Sequence, residues 1–278
     1  MTYFGFLLCF VMPPILILSV LIFRDRNKST HEFRTGRAVW IAIGIHVLLA
    51  VLYTTPWDNY LVATKVWYYN PKLVTGFIIG YVPIEEYSFF ILETILAGLW
   101  WWFLTGRFTL TPSPSPVGRG GFLPNKTLVY VSTGVLISLW LVFTYLFFFV
   151  AAKWTYLSIT LFWALPAILP QLLFGADILW QYRKLVFWSI ALPGTYLSLT
   201  DIIALKETTW LISSAQTTGI LFFGILPWEE VVFFFITNIL ITFGMTLLLA
   251  NVSEGRFAEI KKQVESWKAK RTVIPQRR

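Results

Sequence analysis

The chain of 278 residues is 57% hydrophobic and 18% aromatic, with 13% charged side chains and a net charge of +8. Its mean hydropathy of +0.69 over 32.1 kDa excludes a soluble globular domain and indicates a polytopic membrane protein. One cysteine, Cys9, lies in the first apolar run, so neither a disulfide framework nor a cysteine metal site is expected, and no metal is expected elsewhere.

Runs of about 18 or more apolar residues predict seven spans, near residues 3–23, 38–55, 73–104, 127–150, 155–175, 184–204 and 216–249. The first has no basic residues ahead of it and no small-residue cleavage site behind it, so it reads as a retained span. His31 falls in a basic loop and His46 on an apolar helix, positions that suit a solvated and a packed histidine. The third and seventh spans, about 30 residues each, are longer than one crossing needs, and each carries an internal proline, Pro83 or Pro227. Each therefore reads as one kinked or strongly tilted helix, or as two half-helices, with a carbonyl freed near Ile79 and Gly80 in the first of them. The expected fold is an all-α bundle of about seven transmembrane helices.

Eighteen of the 22 lysines and arginines fall in alternate loops and the tail, from Arg24, Arg26, Lys28, Arg34 and Arg37 through Arg107, Arg119 and Lys126 to Arg183, Lys184 and the residues after Asn251. The opposite loops hold only Lys65, Lys72, Lys153 and Lys206. This asymmetry fits seven spans with the N-terminus outside and the C-terminus cytoplasmic, in the plasma membrane. The positive charge is thus topogenic; the tail from Arg256 onward is expected on anionic headgroups, and no nucleic-acid partner is expected.

The second half repeats the first. Asp201 aligns with Asp58, Trp210 with Trp67, Gly224 with Gly80, Pro227 with Pro83, Glu229 and Glu230 with Glu85 and Glu86, and Phe233 and Phe234 with Phe89 and Phe90. The interval from Asp to Trp is equal in both copies, and that from Trp to Pro differs by one residue. Two parallel three-helix units are predicted, residues 1–105 and 154–250, joined by a loop and linker helix over 106–153 and followed by a basic tail, 251–278. Such units place their site at the interface between copies.

Four carboxyls at membrane depth cost several kcal/mol each and signal function. Adjacent glutamates project about 100° apart on a helix, so one of each pair can be catalytic and its neighbour structural. A carboxyl surrounded by hydrocarbon favours its neutral form and can serve as a general acid. Tyr87, Phe89, Phe90, Trp228, Phe233 and Phe234 flank the acids, with Trp67 and Trp210 on the outer loops. Aromatic faces stabilise a cation without trapping it, which suits protonation of an alkene, although packing and interfacial roles also suit rings in a membrane protein.

The strings Pro56-Trp57-Asp58-Asn59-Tyr60, Gly80-Tyr81-Val82-Pro83-Ile84-Glu85-Glu86-Tyr87 and Pro227-Trp228-Glu229-Glu230, with Gly175-Ala176-Asp177 and Thr200-Asp201, resemble the integral-membrane carotenoid cyclases. The similarity is greatest to the fused form of the heterodimer-type lycopene β-cyclase of fungi, archaea and bacteria, over roughly residues 1 to 250. The resemblance covers the cyclase half of the bifunctional fungal enzymes and no synthase domain, so cyclisation is the activity expected to carry over. The resemblance implies a cofactor-independent, acid-catalysed closure of the ψ ends of lycopene to β-ionone rings. It makes Glu85, Glu86, Glu229 and Glu230 acid and base candidates, with Asp58 and Asp201 behind them as relays, orienting groups or helix caps. Pro83, Pro227, Gly80 and Gly224 form its structural motif, and Glu93, whose repeat counterpart is Thr237, stands outside the doubled set. The expected partners are membrane lipid and a linear carotenoid. The last span holds no lysine for a Schiff base, which excludes a rhodopsin. A cyclase of elongated C50 carotenoids and a proton-coupled transporter stay open as alternatives.

Overall fold

The computed structural model describes residues 1–25, 32–108, 124–150 and 152–272. The basic-loop positions Arg26, Lys28, His31 and Arg119, and tail residues 273–278, lie outside the described residues. Among the described residues, seven helices are long and apolar enough to cross a membrane. They are α1 (Tyr3–Arg24), α2 (Arg37–Ala63), α3 (Ile84–Thr105), α4 (Lys126–Phe149), α5 (Thr155–Gln181), α6 (Arg183–Lys206) and α7 (Trp228–Leu249). A polar helix, α8 (Asn251–Thr272), follows. Large apolar side chains such as Leu48, Leu52, Leu141 and Phe148 stand exposed along the helices. Water would not tolerate that surface and hydrocarbon does, so the chain is an all-α, multi-pass membrane bundle.

Prolines shape several helices without ending them. Pro13 and Pro14 remove two backbone donors in α1, and just ahead of them the helix widens to a π turn over Leu7–Val11, closed by Met12 N–H on Leu7 O. Pro56 lies inside α2, which runs on to Ala63, eight residues past the expected end. Asp58 is therefore buried within the helix rather than capping it, and Asp201 sits likewise inside α6. Pro166 and Pro170 lie within α5, whose backbone bends at Gly175 (φ −163°, ψ 42°).

The third and seventh spans correct the expectation of kinked or divided helices. Each is one helix preceded by a β-hairpin: β2 (Ile78–Ile79) with β3 (Val82–Pro83) before α3, and β5 (Leu221–Phe222) with β6 (Leu226–Pro227) before α7. Pro83 and Pro227 sit at the N-caps, where a missing N–H breaks no helical bond. The hairpins are as apolar as the helices they precede, so hydropathy alone fused the two. Gly80 and Gly224 take positive φ (71° and 70°) in the turns. The one-residue difference between copies is the turn itself: Gly80-Tyr81 closes the first hairpin, while Phe223-Gly224-Ile225 closes the second, with Phe223 at φ 52°.

Helices α3 and α7 occupy the centre, with 61% and 56% of their spanning windows buried against 11% for α4. Helix α3 packs on α1, α2, α6 and α7, and α7 on α5, α6, α2 and α3, while α4 lies against α5 at the periphery. Strand β1 (Trp67–Tyr69), after α2, pairs antiparallel with β4 (Trp210–Ile212), after α6, with Tyr68 opposite Leu211. This ladder joins the two halves at the end where α3 and α7 begin. At the other end, Phe33 bridges Ala250 and Arg34 N–H donates to Leu249 O, tying the loop before α2 to the start of α8.

Candidate active site

Each central helix opens with two glutamates that the fold separates. Glu85, 1% exposed, accepts from Thr75 N–H at 2.6 Å through Oε1. Glu229, fully buried, accepts from both Thr218 N–H and Thr218 Oγ1, each at 2.6 Å, and Trp228 Nε1 donates to that same hydroxyl at 2.6 Å. These two carboxyls hold the loop ahead of each hairpin against the helix N-terminus, where negative charge also suits the helix dipole. One position on, about 100° around the helix, Glu86 and Glu230 turn to the seam between the halves.

There they meet phenols. Glu86 Oε2 accepts from Tyr3 Oη at 2.5 Å and from Tyr69 Oη at 3.0 Å. Glu230 Oε2 accepts a short hydrogen bond from Tyr156 Oη. Tyr3 is fixed by its N–H on Leu73 O at 2.8 Å, and Tyr69 by the β1–β4 ladder. Burial, with Asp58 and Glu86 adding to it, holds the Tyr69 phenol well above its ordinary value, so it is a hydroxyl donor across the whole working range of pH.

Both glutamates, with Asp201, line one cavity of about 30 Å³ walled by Tyr3, Trp67, Tyr69, Phe89, Trp210, Phe233 and Phe234. Asp201 Oδ1 accepts from Trp210 Nε1 at 2.8 Å. Glu86 and Glu230 are 6% and 5% exposed, and among the described residues neither forms an ion pair. They therefore face an aromatic interior, not bulk solvent or an arginine.

The other sequence candidates fall around this chamber. Asp58 lies in a separate cavity of about 20 Å³ that shares Trp67 and Phe233 with the first. Tyr87 Oη donates to Ile79 O at 3.0 Å and accepts from Asn59 Nδ2 at 3.2 Å, holding the first hairpin rather than lining the cavity. Phe90 packs behind it, 6.2 Å from the Tyr87 ring, and Trp228 is bound into the Thr218 loop. Gly80 is required by Asn59, whose Oδ1 accepts from Tyr81 N–H at 2.7 Å and would collide with any Cβ at position 80. Thr237 Oγ1 donates to Glu93 at 2.8 Å, so these two repeat counterparts touch each other across the α3–α7 seam. Asp177 pairs with Arg256 at 2.6 Å and 2.7 Å and docks α8 onto the bundle. That contact removes Arg256 from the headgroup role expected of the tail.

Sequence reasoning gave no role to Tyr3, Tyr69 or Tyr156. The available signal was positional: Tyr3 opens α1 and Tyr156 opens α5, the first helix of each half.

No protein-family model and no solved structure matches the chain. It is 35% identical over 248 residues to the lycopene beta-cyclase of Halobacterium salinarum, covering 88% of this chain and 95% of that protein. It is 32% identical over 219 residues to the bifunctional lycopene cyclase/phytoene synthase of Podospora anserina, covering 76% of this chain and 35% of that enzyme. The corresponding enzyme of Aspergillus oryzae is likewise 32% identical, over 214 residues. At this identity and coverage, and with the doubled acid motif facing one buried chamber, the chain belongs to the lycopene cyclase family.

Proposed function

We propose that the protein is a lycopene β-cyclase that closes the ψ ends of lycopene to β-ionone rings by acid catalysis without a cofactor. The observation that carries this reading is the convergence of Glu86 and Glu230, each supported by phenols, on one aromatic-walled cavity. A carboxyl donates its proton to the terminal double bond, leaving a tertiary cation. The next double bond attacks it, the ring bond forms, and the positive charge moves to a second tertiary carbon. Loss of the adjacent ring proton to a carboxylate completes the product. One proton enters and one leaves, so nothing is oxidised or reduced.

Glu86 is the donor in this scheme, because two phenols stabilise the anion that donation leaves behind, and Glu230, with one phenol, is the acceptor. The rings of Phe89, Phe233, Phe234 and Trp210 face the cation and offer it no nucleophile. The matching element order of 37–105 and 183–249, and the antiparallel β1–β4 pair between them, support two parallel units related by an axis along the membrane normal. A hydrocarbon of this length enters from the bilayer between helices, and charge asymmetry supports an outer N-terminus in a plasma membrane.

The test is glutamine substitution in lycopene-accumulating cells. Glu86→Gln and Glu230→Gln each reduce β-carotene formation by roughly 10²- to 10⁴-fold, the range for loss of a general acid or base. Glu85→Gln and Glu229→Gln keep an acceptor oxygen for their loops and retain a measurable fraction. Wild-type levels of β-carotene from both Glu86→Gln and Glu230→Gln would remove these carboxyls from the chemistry.

A further inference from the structure

The central cavity, about 30 Å³, has room for about two waters, far less than a folded carotenoid end requires. A side chain must therefore move to admit one, and the two halves differ at one candidate.

After α2, Thr64 N–H donates to Tyr60 O, Lys65 N–H to Val62 O and Val66 N–H to Leu61 O. After α6 the same three bonds recur, from Glu207 to Ile203, Thr208 to Leu205 and Thr209 to Ala204. Lys65 and Thr208 share positive φ, 57° and 54°. Each turn leads into a strand that begins on a tryptophan nine residues after the aspartate, but only the second pair is joined, Trp210 Nε1 donating to Asp201 Oδ1 at 2.8 Å. In the first half, both carboxyl oxygens of Asp58 are buried without a hydrogen-bond partner, and Trp67 Nε1 reaches only the Tyr156 hydroxyl, short of full hydrogen-bond geometry, with Asp58 1% exposed and Trp67 7%. Both line the same cavity of about 20 Å³. Buried polar groups left unpaired are costly, and the backbone already provides the geometry that would pair these two. Trp67 instead stands edge-on to Tyr156 (5.5 Å) and Phe233 (5.3 Å), forming the wall between the two cavities and covering the Tyr156–Glu230 pair.

We propose that Trp67 is the side chain that admits the substrate end, and that Asp58 is its second hydrogen-bond partner. Swinging the indole onto Asp58, in the manner of Trp210 on Asp201, vacates the space of a bicyclic ring beside Glu230 and joins the two cavities. Asp58 is then a positioning residue, acting through Trp67 rather than on the carotenoid. The inference rests on the cyclase reading above.

The experiment compares initial rates of lycopene conversion, and thermal unfolding in detergent, for Asp58→Leu, Trp67→Phe, the double variant and Asp58→Asn. Each of the first two removes the same hydrogen bond, and one such bond corresponds to about tenfold. The double variant is expected at about tenfold as well, because the two effects share one interaction. Asp58→Asn keeps an acceptor oxygen and rescues most of the loss, whereas Asp58→Leu unfolds no earlier than wild type. A roughly hundredfold loss in the double variant would overturn the proposal, as would failure of Asp58→Asn to rescue. A carotenoid-bound structure with Trp67 still against Tyr156, or with a water bridging it to Asp58, would also overturn it. Failure of the wild type to convert lycopene would instead refute the cyclase reading itself.

Discussion

Replacing Tyr156 with phenylalanine isolates the contribution of one phenol to one acid. The side chain is fully buried, and its ring contact with Trp67 survives the change, so what is lost is the hydroxyl's short hydrogen bond to Glu230 together with its looser contact with Trp67 Nε1. A hydrogen bond to a charged group contributes about 1.5–3 kcal/mol, and Glu230 must be ionised to accept the proton, so without this bond the ionised fraction, and with it the rate, should fall roughly 10- to 150-fold. Tyr3→Phe removes a donor at 2.5 Å from Glu86 but leaves Tyr69 at 3.0 Å, which limits the loss to about 1 kcal/mol, roughly fivefold. Removing both Tyr3 and Tyr69 hydroxyls brings the loss to the size seen for Tyr156→Phe. Initial rates of coloured product from lycopene in membranes, normalised to protein level, measure all three. A Tyr156→Phe enzyme within twofold of wild type, or a Tyr3→Phe enzyme more impaired than it, would refute the view that phenols carry the anions.

Two further outcomes concern stability. Gly80→Ala meets both a backbone at φ 71° and the Asn59 side chain, so it should lower the unfolding temperature in detergent well below that of Gly224→Ala, which has the same φ but open space around it. Alkali tests the buried phenols outside the spans: Tyr69 is held well above its ordinary value, and Tyr182 is pushed up to about 12, by burial first and Glu32 second. A phenol whose folded value is raised contributes stability in full below pH 10.0 that is lost as pH rises through about 12, so the unfolding temperature should stay level up to about pH 10 and then drop between 10 and about 12, less steeply in Tyr182→Phe.

The number and order of the seven spans were legible because roughly 20 apolar residues in a row have one common solution in a bilayer. What hydropathy could not see were the hairpins at 78–83 and 221–227, since an apolar strand of two residues has no period to read. The acids were legible because charge at membrane depth is expensive, and adjacency required the two members of each pair to diverge. Which member faces inward was not legible, because it depends on the hairpin that puts Thr75 and Thr218 in front of Glu85 and Glu229. Tyr3 and Tyr156 were invisible for a different reason: a tyrosine near the membrane surface is ordinary, and only folding carries these two to Glu86 and Glu230.

Duplication supplies two similar carboxyls, yet the reaction needs an acid and a base, and the unequal phenols provide the distinction. If Glu86 donates and Glu230 accepts, the two glutamine variants fail at different stages. In Glu86→Gln the first protonation does not occur, and lycopene accumulates unchanged. In Glu230→Gln protonation and ring closure still proceed slowly, but the second cation lacks a carboxylate at the proton whose loss conjugates the ring with the polyene. That cation then loses a proton from another neighbouring carbon, giving a ring whose double bond lies outside the conjugated chain. Such a product absorbs at shorter wavelength than β-carotene and separates from it chromatographically. Displaced double bonds from Glu86→Gln, with untouched lycopene from Glu230→Gln, would reverse the assignment; untouched lycopene from both would mean that the phenol count does not divide the roles.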